Sequence, residues 1–506
     1  MKQCSLSYVK SKVNISRRKL MEATAAGAVA TGIAGCTGQS GGDQDSGGSD
    51  TAESTPENPD EVVDGMSVVH AMDEGHNTNP FNWNSDEIEA ETGVSLENVI
   101  GFSFTGLYSN LVTEFTSGQT SFDMFSFYPQ FLGEFAANGH AAPLDPYMDI
   151  DGWDPQFDDL LKPFRQMYTQ WGGNTYALPI DGDVLMLVYR KDLFEKHNQE
   201  VPATWGEFNE VARYFTEETN DIDYGVASFG KRGFAYGWFL TRFGGAGGVY
   251  FDEDMNPQIN SEAGRMALES WQETLEYADP NSPSYGYAEL RDAFLNERAA
   301  MVIQWTDVPK KAAVTPSVAD NWGGAAVPGF DGITAASAMP VGRVMGISNY
   351  ISDDKKLAAY RWAQAFSLPK YSSTMVSDPG CGEDPFRTSH FENDGAVFTQ
   401  PNPHRGSPPE SVAFSSAEKA KEYADSVQAT LEQGYPVPYW PGAQAYIEVL
   451  DTNISEFVSG QQGVEATLST VDEEWTAIVE ERGRDQQIEY YSNVIDAWKN
   501  AGIWNI

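Results

Sequence analysis

Basic residues are scarce in this chain of 506 residues: 32 Lys and Arg stand against 74 Asp and Glu, a formal charge of -42. Between Met21 and Leu161 there is no Lys or Arg at all, while the same stretch holds 25 acidic residues. A surface this negative repels phosphate backbones and anionic headgroups, which argues against nucleic-acid binding and against a polybasic membrane contact. Its simplest explanation is adaptation to high salt, where a carboxylate-covered exterior stays hydrated and screening removes most of the self-repulsion. Cysteine is equally rare. Cys4 and Cys36 fall in the N-terminal leader region, so Cys381 is the only thiol left in the body, and no disulfide is expected within a mature chain. The six His (70, 76, 140, 197, 390, 404) stand singly, without an HxxxH pair or a Cys partner, so no metal site is expected. Phosphate-loop and GxSxG signatures are missing, and the glycine cluster at 244–248 lacks the Lys and the preceding strand of a phosphate cradle; it reads as a tight turn. Adjacent acids such as Asp158-Asp159 and Asp353-Asp354 sit at linkers or helix caps and read as solvated faces rather than acid/base pairs. No catalytic residue and no cofactor is expected. No apolar run reaches the ~20 residues of a membrane span.

What is present begins with a leader. Lys2, Lys10, Lys12, Arg17, Arg18 and Lys19 precede a small-residue apolar run over 23–34 and then Cys36. Ser16-Arg17-Arg18-Lys19-Leu20-Met21 resembles a twin-arginine export motif, and Ile33-Ala34-Gly35-Cys36 a lipobox whose Cys is lipidated. Residues 1–35 are therefore expected to be a twin-arginine lipoprotein signal, with the mature protein lipid-anchored through Cys36 on the extracellular face of the membrane. Residues 36–65 read as a flexible acidic tether: the segment 37–64 has eight acids and no aromatic residue. As a Gly/Ser-like coil it reaches roughly 30 Å.

From residue 66 onward short apolar runs alternate with amphipathic stretches, the texture of an α/β protein. Strands are expected over 66–72, 94–102 and 122–127, separated by helices over 86–92, capped by Ser85, and over 107–115. Thr204-Trp205-Gly206-Glu207 is a capping box, with Phe208, Val211, Ala212 and Phe215 on one face of the helix that follows. Further helices are expected over 262–277 and 355–366, and fully buried strands over 184–189 and 301–303.

Six motifs then occur in a telling order: Glu89-Ala90-Glu91-Thr92-Gly93-Val94; Phe122-Asp123-Met124 with Pro143-Leu144-Asp145 after it; Tyr176-Ala177-Leu178-Pro179; Leu187-Val188-Tyr189-Arg190-Lys191-Asp192-Leu193-Phe194; Pro202, Thr204 and Trp205; and Phe294-Leu295-Asn296-Glu297-Arg298-Ala299-Ala300-Met301. This order resembles the extracellular solute-binding proteins of ABC importers, of the maltodextrin or sugar-binding type, and with the leader and the charge a halophilic archaeal lipoprotein of that family. The resemblance implies an α/β, two-lobed periplasmic-binding-protein-like fold (type II) whose lobes are joined by hinge crossovers. One lobe would comprise 66–180 and 341–382, the other 181–340 and 383–506. It also implies a monomer that carries a sugar or polyol to an ABC permease without breaking a bond. By position in the motifs it assigns ligand contacts to Asp73 after the first strand, Phe127 and Tyr128 at a strand end, Asp183 at a crossover, Tyr236 and Trp238 before the glycine cluster, Trp305 and Asp307 at the end of a buried strand, Arg343 at the return crossover, and Trp440 late in the cleft. An insert around 383–434 departs from the pattern. Independently of the resemblance, a sugar offers apolar CH faces and a rim of hydroxyls, which aromatic plates and charged hydrogen-bonding groups complement. An exported carbohydrate-active enzyme and a peptide-binding lipoprotein of the same fold remain as alternatives.

Overall fold

A computed structural model of the protein describes residues 58–75, 78–319, 321–333, 335, 339–405, 411–432 and 434–501. The expected signal over 1–35, Cys36 and the tether as far as residue 57 lie outside the described residues. From Pro59 the chain is already part of the fold: helix Pro59–Val63 buries Val63 completely, and Asp60 accepts a hydrogen bond from Trp153 Nε1 at 3.1 Å. The tether expected to reach residue 65 is therefore shorter, because Val62, Val63 and Met66 supply apolar surface that packs on the core.

Eleven strands occur among the described residues: β1 (Ser67–Asp73), β2 (Ser95–Phe102), β3 (Met124–Phe127), β4 (Gln170–Trp171), β5 (Asn174–Thr175), β6 (Ala177–Pro179), β7 (Leu185–Arg190), β8 (Tyr224–Val226), β9 (Ala299–Trp305), β10 (Trp322–Ala325) and β11 (Val344–Ile347). They form two main sheets. The first runs β2-β1-β3-β11-β6 and the second β10-β7-β9-β8, while β4 and β5 pair as a small hairpin. In the first sheet β1 is parallel to β2 and β3, and β11 is antiparallel to β3 and β6. In the second, β7 is antiparallel to β9 and β10, and β8 is parallel to β9. All six residues of β7 are buried, as its unbroken apolar run requires when both faces are covered.

Helices flank the sheets where their apolar stripes find a partner. Trp205–Glu217 starts at the expected capping box, with Thr204 accepting from the Glu207 backbone and Glu207 reaching back, and it buries Phe208, Val211, Ala212 and Phe215. Helix Asn79–Thr92 starts earlier than Ser85: Pro80 opens it, and Ser85 Oγ donates to Asn82 O inside it. Pro is tolerated in a first helical turn because its missing N–H has no partner there anyway. Arg242, fully buried on helix Ala235–Gly245, lies under three indoles, 3.7 Å from the ring centre of Trp205, 5.1 Å from Trp238 and 5.5 Å from Trp271. Cation–π attraction is strongest when desolvated. Among the described residues no helix is long and apolar enough to cross a membrane.

The two sheets meet where three strands of chain run side by side. Residues 180–184 lead from β6 to β7, residues 339–343 lead back to β11, and residues 382–387 cross beside them. Ile180 N donates to Arg343 O at 3.0 Å, Val341 N to Asp183 O at 2.8 Å and Gly182 N to Asp384 O at 2.9 Å. The approach is so close that a Cβ at Gly182 would fall 2.1 Å from Pro385 O, and one at Gly342, whose φ is +78°, 2.2 Å from Asp181 O. Only glycine fits either position.

Candidate functional site

The three crossing segments gather ionisable side chains that the sequence holds far apart. Arg343 is the hub. Its Nε donates to Asp73 Oδ1 at 3.1 Å and its Nη2 to Asp73 Oδ2 at 3.1 Å, the two-pronged pairing that a planar guanidinium makes with a carboxylate. Its Nη1 donates to Asp181 Oδ2 at 2.6 Å and lies 3.8 Å from Asp183 Oδ2. Tyr128 OH donates to Asp73 Oδ2 at 3.1 Å, and the guanidinium carbon sits 5.2 Å from the centre of the Tyr128 ring. β1 delivers Asp73 as its last residue, and Tyr128 follows the last residue of β3. Both therefore emerge from the ends of neighbouring parallel strands of one sheet.

A second cation faces the other side of the group. Lys310 Nζ is 2.9 Å from Asp384 Oδ1, and Asp384 also accepts from Thr306 Oγ1 at 2.6 Å and Tyr423 OH at 3.2 Å. The backbone N–H of Asp384 donates to Asp181 Oδ1 at 2.8 Å. Asp181, Asp183 and Asp384 bring carboxylate oxygens within 4.8 Å of one another and form the grouping in which a cation would find ligands. Both oxygens of Asp181 and both of Asp384 already accept hydrogen bonds from protein donors. Asp183 Oδ1, in a residue only 9% exposed, accepts none.

Charge and burial set the protonation of the group. Burial raises the Asp73 carboxyl, but the Arg343 charge, the Arg343 hydrogen bonds and the Tyr128 hydroxyl outweigh it and hold the net value below the usual carboxylate range. Asp181 is pushed up to about 6 by burial and the neighbouring Asp384 charge against the pull of Arg343. Burial, then the charges of Asp181 and Asp384, raise Asp183 well above its ordinary value. His70, buried next to this group, is lowered to about 3 by desolvation and stays neutral, with Nε2 2.8 Å from Ser126 Oγ.

Of the sequence-expected contacts, Asp73, Tyr128, Asp183 and Arg343 come together in this cluster. Trp305 ends β9 opposite Leu185, two residues from Asp183, and is half-buried. Asp307 is held by Tyr287 OH and Lys311 Nζ, each at 2.5 Å. Tyr236 is half-buried, its backbone N–H donating to Asp451 Oδ1 at 3.1 Å. Three expectations are corrected. Phe127 points to the opposite side of β3 from Ser126 and packs without exposure on Phe125 and Phe135, at 5.3 and 5.4 Å. Trp238 is a core residue: Nε1 donates to Ile303 O at 2.9 Å, and Trp271 lies 5.7 Å away. Trp440 is fully buried among Tyr491, Tyr446 and Phe251, at 5.2, 5.8 and 5.9 Å. The glycine cluster expected as a tight turn ends helix Ala235–Gly245 with Gly244 and Gly245 and then turns, Gly247 at a φ of +76° with its N–H donating to Gly244 O at 2.9 Å.

The cluster also has members that the sequence reading passed over. Asp181 lies two residues before Asp183 and could have been found from the Asp-Gly-Asp spacing. Asp384 and Lys310 had no local signal. At the rim, Phe104 is 42% exposed and stacks on Phe234 at 5.2 Å while meeting Tyr128 edge-on at 5.4 Å. Cys381 is buried, and burial followed by the Glu383 and Asp378 charges raises its thiol well above the ordinary value, so it is no nucleophile. The group as a whole offers oriented carboxylate oxygens beside aromatic rings, the equipment for accepting hydrogen bonds from hydroxyls.

Comparison with known proteins places these features in context. Residues 84–371 match the family described as bacterial extracellular solute-binding protein. The mannitol-binding protein of Pseudomonas aeruginosa is 28% identical over 206 residues, 40% of this chain and 45% of that one. A probable amino-acid ABC transporter periplasmic-binding protein of Sinorhizobium fredii is 25% identical over 229 residues, 44% of this chain and 52% of that one. The chain thus spans about half the length of these curated relatives. Among solved structures, a solute-binding protein from Agrobacterium radiobacter in complex with ribitol superposes with a TM-score of 0.68 at 21% identity, covering 81% of this chain and 98% of that one. Maltose-bound MalE3 of T. maritima gives 0.69 at 18% identity, covering 82% and 100%. The fold is the type II periplasmic-binding fold.

Proposed function

The chain belongs to the bacterial extracellular solute-binding protein family, and from that premise we propose that it captures a neutral sugar or polyol outside the cell and delivers it to an ABC permease in the membrane. The observation that carries the reading is the Arg343 cluster at the crossing between the two sheets, with the buried Asp183 Oδ1 left as an acceptor that no protein donor uses. Asp73, Tyr128, Asp183, Arg343, Trp305, Asp307 and Tyr236 are its proposed ligand contacts. With burial and the Asp181 and Asp384 charges favouring the protonated Asp183 carboxyl, a hydroxyl donating to its Oδ1 makes a neutral bond, contributing roughly 0.5–1.5 kcal/mol. Arg343 orients the carboxylates and its charge is already balanced by Asp73 and Asp181, which disfavours ligands carrying a carboxylate of their own, amino acids included. The mannitol, ribitol and maltose named for the similar proteins are neutral and hydroxyl-rich, which supports the same class here.

In this reading one lobe is built on the first sheet, from 66–180 and 341–382, and the other on the second, from 181–340 and 383–506. The ligand bridges them and shifts an open–closed equilibrium by its differential affinity for the closed form. No bond is broken. The protein works as a monomer, exported by the twin-arginine route and tethered through a lipidated Cys36, with its acidic exterior matched to high salt. Calorimetric titration of Asp183→Ala and Trp305→Ala tests the site: each variant is expected to fold and to lose affinity for the sugar or polyol that the parent binds. Undiminished affinity in both would remove the site assignment.

A further inference from the structure

Apart from the Arg343 cluster, the structure contains a pocket of about 440 Å³ between the β4–β5 hairpin, helix Lys162–Met167 and helix Arg484–Ala501. Its volume lies within the roughly 300–1,000 Å³ of small-molecule sites. The lining is chemically specific. Four amides, Gln166, Gln170, Asn493 and Asn500, supply paired donors and acceptors, and the half-buried Trp171 supplies a flat apolar face, with the buried Tyr439 behind it. Gln166 Oε1 is buried and accepts no hydrogen bond, so its contribution to the lining comes from the rest of the side chain.

Trp171 is braced edge-on by Tyr439 at 6.4 Å and Tyr490 at 5.9 Å, so the ring is held in place rather than free to turn. Gly172 and Gly173 follow it at φ of +56° and +85°, and a Cβ on either would meet nothing within 4 Å, which leaves the hairpin tip open. Asp496 is the one ionisable acid of the lining, and no Lys or Arg belongs to it. Anionic ligands are therefore repelled, while neutral hydroxyl-rich rings match both the amides and the indole.

We propose that this pocket is a second saccharide site, taking a neutral mono- or disaccharide independently of the cleft, since none of its lining residues belongs to the Arg343 cluster. A protein tethered near its permease would then hold one saccharide for transport and a second, more weakly, at its surface.

The test uses equilibrium dialysis and calorimetry on the intact protein in molar salt, with maltose and mannitol as probes. One equivalent sensitive to Asp183→Asn and another sensitive to Ala497→Trp is the expected result. Ala497 lines the pocket, so the indole introduced there fills it; affinity for the outer equivalent should fall by about tenfold or more. The paired change Gln170→Ala and Asn493→Ala, at the pocket wall, should do the same, which guards against misfolding of any one variant. Binding to the outer site that survives all of these changes, or no probe binding that responds to Ala497→Trp, overturns the proposal. A single equivalent that ignores Asp183→Asn but is lost in Ala497→Trp would sustain the pocket while refuting the cleft.

Discussion

Replacing Arg343 by Met removes the cation that three buried carboxylates share while keeping most of the side chain's volume. Asp73 loses the two 3.1 Å bonds from the guanidinium, keeping the one from Tyr128, and Asp181 loses one at 2.6 Å. Breaking one side of a buried ion pair costs about 3–5 kcal/mol, because the partner charge is left unpaired in a medium that solvates it poorly. The cost should depend on pH. The Asp181 carboxyl titrates near 6 with Arg343 in place, so at pH 5 much of it is already protonated and the substitution strands mainly Asp73. At pH 8 Asp181 is ionised in the parent, and the variant must either hold two unpaired charges or take up protons from dilute solution. Urea unfolding at pH 5 and pH 8 is therefore expected to show a larger loss at pH 8. The second change Asp73→Asn in the same chain should recover part of that loss, since it removes a stranded charge. Molar salt should alter the loss little, as buried pairs are weakly screened. A loss below about 1 kcal/mol, or one identical at both pH values, would refute the view of Arg343 as the electrostatic hub.

Two further predictions rest on the same structure. Glu383 is buried, and desolvation followed by the Asp181 charge pushes its carboxyl up to about 8; folded protein therefore holds a proton that unfolded chain releases near 4.5, and stability should fall as pH rises between those values. Glu383→Gln, neutral throughout, should flatten that decline by an amount on the order of 2–4 kcal/mol at pH 9, and an unchanged unfolding profile between pH 5 and 9 would contradict the burial argument. Trp238→Ala should cost about 3–5 kcal/mol in thermal or chemical unfolding without changing the affinity of the molecules that remain folded; a selective loss of ligand affinity at undiminished stability would return Trp238 to the cleft.

Local chemistry made much of this fold legible. The capping box at Thr204 and Glu207 placed its helix to the residue, and β1, β3 and β7 follow from apolar runs bounded by turn residues. Asp73, Tyr128, Asp183 and Arg343 were each visible as polar groups at strand ends or crossovers. Their convergence was not, since Asp73 and Arg343 are 270 residues apart and only the exchange of chain between sheets joins them. Asp384 lies in the insert that departs from the family pattern, so nothing in the local sequence connects it to Asp181. Aromatic residues misled for a different reason. Trp238 and Trp440 have the composition of sugar-stacking plates, but an indole serves a core equally well, and with 13 Trp in the chain most must pack inside. Phe104, stacked on the part-buried Phe234, was missed because its exposure, not its residue type, marks it.

The central claim is that the crossing between the two sheets binds a neutral, hydroxyl-rich solute and leaves it intact. Titration calorimetry of the intact protein in molar salt with mannitol, ribitol and maltose, followed by chromatography of the recovered solute, tests it most directly. The account predicts saturable binding of at least one of them that Asp183→Ala abolishes, with the solute returned unchanged after prolonged incubation. Tight binding of an amino acid or peptide in their place, or conversion of the bound sugar to products, would contradict it.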